Sequence, residues 1–125
     1  MSGRRYLTIA EAAATLRRGR EVEQFIEHHV ASDGRAAIRW LTAFKSGRTF
    51  ELVIHDVEDV GSDDFFDVSE FPPLDDEEET GEGRFLATAD DAESLLQTAV
   101  ANGADSERWV NSGVVQDEYR ESRNR

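Results

Sequence analysis

Ala36-Ala37-Ile38-Arg39-Trp40-Leu41-Thr42-Ala43-Phe44 and Thr49-Phe50-Glu51-Leu52-Val53-Ile54-His55-Asp56-Val57, joined by Lys45-Ser46-Gly47-Arg48, decide the fold of this chain. In the first run Ile38, Trp40 and Phe44 fall on one side, with Arg39, Leu41 and Ala43 on the other. In the second, Phe50, Leu52 and Ile54 point inward and Glu51, Val53 and His55 outward. Successive side chains of a strand leave opposite faces, so this period of two predicts two adjacent strands around a tight turn.

Upstream, Asp33-Gly34 supplies a second hairpin turn. Before it, Val22, Ile26 and Val30 share a face and Phe25 takes the other. That uneven pattern fits a strand or a helix over residues 21–30; we read a strand through about His28. Thr8 with Glu11 forms a capping box, and Ala10 to Arg18 are almost all strong helix formers. Ile9, Ala12, Ala13 and Leu16 make the apolar stripe of this helix, Arg17 and Arg18 suit its last turn, and Gly19 ends it.

Downstream, Gly61-Ser62 breaks the second strand and an extended pattern resumes over Phe65 to Phe71, which Pro72-Pro73 stops. Phe85 to Thr88 reads as a short strand. Asp90 or Asp91 caps a helix with the stripe Ala92, Leu95, Leu96, Ala99 and Val100, stopped at Asn102-Gly103. Ser106 reads as the cap of a further turn carrying Trp109 and Val110; the stretch from Trp109 to Tyr119 fits a recognition surface or core, and we read core. No internal repeat is visible. The order predicts an α+β domain: an antiparallel β-meander of four to five strands, with an N-terminal and a C-terminal helix packed on one face. Residues 1–125 suffice for one such domain with a core of its own.

Charge is the other organising feature. Net charge is −13, and Asp56 to Glu82 holds thirteen Asp and Glu among twenty-seven residues without one Lys or Arg. Residues 1–48 sum to +4, residues 49–83 to −14 and residues 84–125 to −3. A segment of this kind repels phosphate and anionic lipid, so nucleic acid and membrane are unsuited as partners and a basic protein is suited. Leu74 to Gly83, centred on Asp75-Asp76-Glu77-Glu78-Glu79, is expected to be a mobile loop because like charges repel and little there offsets ordering entropy. Arg120 to Arg125 is expected to fray. Cysteine is absent, which removes disulfides, thiolate catalysis and Cys-based zinc sites. With no apolar run of spanning length and no signal-like start, a cytoplasmic, unprocessed chain is expected.

Candidate chemistry is sparse. Asp56, Glu58, Gly61 and Asp67 occupy positions 1, 3, 6 and 12 of an EF-hand count, but Val60 stands at position 5 and the flanks read as strands. His28 and His29 are neighbours on a strand and point apart, so shared metal ligation would need His55 from across the sheet; hydrogen-bonded or exposed histidines are the simpler reading. Paired carboxylates abound, yet acid–base catalysis needs one of them buried, and a hydrated loop does the reverse. No nucleophile elbow, P-loop or dinucleotide fingerprint is present. No cofactor and no catalytic residue is therefore expected.

The leading expectation is a non-enzymatic interaction module that binds a basic protein partner, in the manner of inhibitors, immunity proteins, antitoxins or chaperones. Asp59, Asp63, Asp64, Glu70, Asp75, Asp76, Glu77, Glu78 and Glu79 would form its contact surface. The alternative is a small ligand-binding domain or enzyme with a cleft between the sheet and the helix of residues 90–102, reached by Arg39, His55 or Glu51. A third reading assigns the charge to solubility alone.

Overall fold

A computed structural model describes residues 6–62, 64–74 and 83–123. The described residues form helices α1 (Ile9–Arg17), α2 (Ala92–Ala101) and α3 (Val115–Arg123), and strands β1 (Val22–Val30), β2 (Ala36–Ser46), β3 (Thr49–Glu58), β4 (Arg84–Ala89) and β5 (Val110–Asn111). The strands make one antiparallel sheet in the order β4-β3-β2-β1-β5.

The β2–β3 hairpin is its centre, paired without interruption from Ser46↔Thr49 to Ala37↔Glu58. Gly47, at φ 61°, turns it, a backbone conformation that any side chain would strain. Alternation then sorts the side chains as expected. Leu41, Ala43, Phe50, Leu52 and Ile54 lie buried on one face, while Ile38, Trp40 and Val57 lie buried on the other.

The first face is closed by α1 and α2. The Thr8 hydroxyl accepts from Glu11 N at 3.1 Å and the Glu11 carboxylate from Thr8 N at 2.9 Å, so the capping box is complete. Asp91 accepts from Ser94 N at 3.0 Å and starts α2. Ala12, Ala13 and Leu16 then meet Ala92, Leu95, Leu96 and Ala99 over the sheet. Arg17 reaches Glu93 at 2.8 Å and so joins the end of α1 to the start of α2. Val100, expected in the α2 stripe, is 38% exposed instead.

The second face is covered at one end by α3 and by the irregular chain between β3 and β4, which bury Val68, Phe71, Val110, Val115 and Tyr119 against Ile38, Trp40 and Val57. The tail from Trp109 to Tyr119 is thus core, as read from sequence, though split: Trp109 belongs to the α1–α2 side and Tyr119 to the α3 side. Gly61 makes room for this packing, since a Cβ there would sit 1.9 Å from the Tyr119 hydroxyl.

Several local expectations are corrected. Residues 65–71 do not extend as a strand: a Ser62↔Phe65 bridge and a 3-10 helix at Val68–Glu70 stand there, because β4 occupies the outer edge of β3. Trp109 and Val110 are extended rather than helical, pairing with Leu7 and Glu23, and so supply the fifth strand. A bulge between Phe25 and Glu27 reverses the parity of β1, so Val30 leaves the face of Val22 and lies 72% exposed. His55, expected outward, is buried instead: its ring stacks on Trp40 and Gly83 lies close against it.

Pro73 pairs with Val57, Leu74 N donates to Asp56 O, and Arg84 follows opposite Ile54. Both segments run antiparallel to β3. The acid-rich stretch therefore interrupts one edge strand, leaving it at Leu74 and rejoining it at Gly83. Residues 75–82, expected to be a mobile loop, lie outside the described residues. Among the described residues no helix is long and apolar enough to cross a membrane.

Candidate functional site

The acids singled out from sequence fall into two groups. Asp64 and Glu70 are exposed, as a contact surface requires. Asp59 is instead engaged within the fold: it accepts from the Tyr119 hydroxyl and from Gly61 N, and lies 3.6 Å from His28. Asp63, Asp75, Asp76, Glu77, Glu78 and Glu79 lie outside the described residues. Of their neighbours, Asp56 is held by Arg39 at 2.8 Å and Glu58 by Arg35 at 3.4 Å. Asp67 caps the 3-10 helix through Ser69 N. The EF-hand positions Asp56 and Asp67 thus face separate partners and do not converge.

The histidines are not brought together. His29 lies near Asp56, 3.6 Å away, on the α1–α2 side. His55 stacks on Trp40, ring centroids 3.9 Å apart, and its Nε2 meets the Thr42 hydroxyl at 3.0 Å. His28 stands between Ser122, 2.7 Å from Nε2, and Asp59, 3.6 Å from Nδ1. That row has the order of a hydrolytic triad but not its chemistry. The Ser122 hydroxyl donates to the Tyr119 carbonyl at 2.6 Å, so the imidazole donates to Ser122 rather than taking its proton. The last turn of a helix also presents carbonyls, which oppose an oxyanion. The row fastens α3 to β1.

A groove of about 660 Å³ opens on the part of the second face that α3 leaves uncovered. Register builds its floor. Phe85 pairs with Val53, Val53 with Thr42 and Thr42 with Glu23, so one row crosses four strands from an aromatic ring to a carboxylate. Trp40, His55 and Phe44 lie beside that row, Glu21 stands at one rim, and Gln116 and Gly113 of the α3 region bound another side. Gly83, where the acidic stretch rejoins the sheet, closes the groove on the β4 side. A Cβ at Gly83 would come within 2.5 Å of Val53 and 2.7 Å of His55, and its φ of 88° excludes other residues independently.

Glu23 is the unusual member. It is buried, and its carboxylate accepts from Gly113 N at 2.8 Å just before α3. Burial pushes its carboxyl above the ordinary range; the Gly113 and Val115 N–H groups and the Ser112 hydroxyl pull it back, while the neighbouring Glu21 raises it further. The other buried acid, Glu118, has Arg108 at 3.5 Å and the Tyr6 hydroxyl at 2.9 Å. Among the described residues no cation pairs with Glu23 or Glu21, and no Lys or Arg lines the groove. Nothing local in the sequence marks this site, because its members come from four strands and the turn before α3.

The cleft expected between the sheet and α2 is filled by Leu95, Leu96 and Ala99. Of its expected visitors, Arg39 lies on the α1–α2 side beside Asp56, His55 lines the groove on the opposite face, and Glu51 pairs with Phe44 and Thr88. Comparison with protein-family models, with curated proteins and with solved structures found no match to this chain.

Proposed function

We propose that the protein is an interaction module that binds a basic protein partner, the acidic stretch drawing the partner in and the groove beside it forming the contact. The observation that carries this reading is the adjacency of the two. The segment with thirteen acids and no base rejoins the sheet at Gly83, on the wall of a groove whose described lining includes two glutamates and no Lys or Arg. Complementary charge of this kind accelerates encounter and orients partners, and its effect weakens as salt screens it.

Immobilised full-length chain and a variant with Asp64, Glu70 and residues 75–79 neutralised would be exposed in parallel to native lysate. The expected result is a set of basic proteins retained at low salt, released by a salt gradient and lost from the variant. Retention of proteins no more basic than the input, or the same set on both baits, overturns the reading. If nothing is retained and the neutralised variant precipitates, the charge serves solubility.

A second reading, a ligand-binding domain or enzyme, is favoured by the groove volume and the buried Glu23, features common in small-molecule sites. Against catalysis, Glu23 is held by Gly113 and His55 Nε2 by Thr42, so neither is aimed at a shared reacting atom.

A further inference from the structure

We propose that the groove on the α3 side of the sheet receives the cationic side chain, lysine or arginine, of the partner protein, its aliphatic stem along Phe44, Val53 and Phe85 and its charge between Glu21 and Glu23. This rests on the reading of the protein as a module for a basic partner and names the contact that such a partner makes.

The pattern of ion pairs leads to it. Of the other acids withdrawn from solvent in the described fold, Asp56, Glu58, Asp59 and Glu118 each lie within 4.0 Å of an Arg or His nitrogen, and only the half-buried Glu51 does not. Glu23 is only 6% exposed and has backbone N–H contacts but no cation among the described residues. A buried carboxylate is stabilised by an opposite charge as well as by donors, and its two oxygens can accept more than the donors of Gly113, Val115 and Ser112. The missing cation is therefore one that a guest can supply.

The walls select which cation. Phe85 is 57% exposed and lies across the sheet from Glu23, with Val53 and Thr42 between. From Val53 to Glu23 is two strand spacings, about 10 Å, which an extended lysine or arginine and the glutamate reaching toward it cover together. Such a side chain places methylenes on apolar surface and its head at a carboxylate. A metal ion gains nothing from Phe44 and Phe85, and an anion meets two glutamates.

The test titrates the full chain at low ionic strength with three blocked peptides, acetyl-Gly-Lys-Gly-amide, its arginine counterpart and its norleucine counterpart, followed by amide NMR shifts. The lysine and arginine peptides are expected to shift Thr42, Val53, Phe85 and Gly113 saturably, with norleucine about tenfold weaker or more. Glu21→Gln at the exposed rim should weaken the cationic peptides about threefold, and Phe85→Ala should weaken lysine and norleucine alike. Shifts confined to the acidic stretch, with the groove amides unmoved, overturn the groove proposal but leave the module reading standing. Equal binding of norleucine overturns the role of the charge. If neither cationic peptide nor oligolysine binds anywhere, both readings fall; if the groove saturates but lysate yields no basic protein, the module reading falls and takes the protein source of the side chain with it, while the groove's selectivity for a cationic side chain stands.

Discussion

The two faces of the sheet are built from the same strands and end in opposite states. On the α1–α2 face small and aliphatic side chains interlock: Ala12, Ala13, Ala92 and Ala99 let the helices approach, and Leu16, Leu52, Leu95 and Leu96 fill what remains. On the α3 face one nine-residue helix and the irregular chain before β4 cover only part of the area, over large rings such as Trp40, Phe71 and Tyr119. The remainder is the groove with Glu23 in its floor. One face is close-packed throughout, and the other keeps an open groove.

The largest expected effect breaks the closed face. Leu95→Ala removes a fully buried side chain between α2 and the sheet and should cost about 2–5 kcal/mol in urea unfolding. A cost below about 1 kcal/mol would mean that this face relaxes as easily as the open one. Next comes the join of the α3 face. Gly61→Ala places a methyl on the Tyr119 hydroxyl and should cost about 1–3 kcal/mol, with part of the loss recovered when Tyr119→Phe is added. Full additivity of the two changes would contradict the contact.

The third prediction uses pH to sharpen the contrast. Because burial raises the Glu23 carboxyl in the folded chain, the folded state holds more protons than the unfolded state above the ordinary value of 4.5. This contribution therefore lowers stability as pH rises through the window from 4.5 up to the raised folded value. Glu23→Gln keeps an acceptor for Gly113 N–H and removes the titration, so its stability relative to wild type should improve between pH 4 and pH 7. A difference that is flat, or moves the other way, would show that the hydrogen bonds outweigh burial. The smallest effect is Phe85→Ala on the rim of the open face. Stability should change by no more than about 0.5 kcal/mol, although peptide binding falls. A larger loss by thermal melt would make Phe85 part of the core.

Much of the fold was legible in the residues. The alternation of Ala36–Val57, the Thr8 and Asp91 caps, the Ala-Leu stripes of α1 and α2 and the Gly47 and Gly34 turns are local signals, and each sits where it was read. The site was far less legible. The period of two points His55 outward, and its burial depends on Trp40 from the neighbouring strand and on Gly83, which follows it by twenty-eight residues. Glu23 carried no mark in a strand whose parity is broken by a bulge. The spacing of Val115, Glu118 and Tyr119, three and four residues apart, was the one available clue to α3.

What the sequence determined by itself is what neighbours along the chain can settle: strand period, helix start and stop, and the concentration of acid between Asp56 and Glu82. Tertiary structure alone decided the rest. Val110–Asn111 is too short to hold a strand without β1 beside it, and residues 65–71 are kept from the sheet because β4 already fills that edge. The groove exists because the cover over one face stops short, and the environment of a side chain is set by distant segments rather than by its neighbours in sequence.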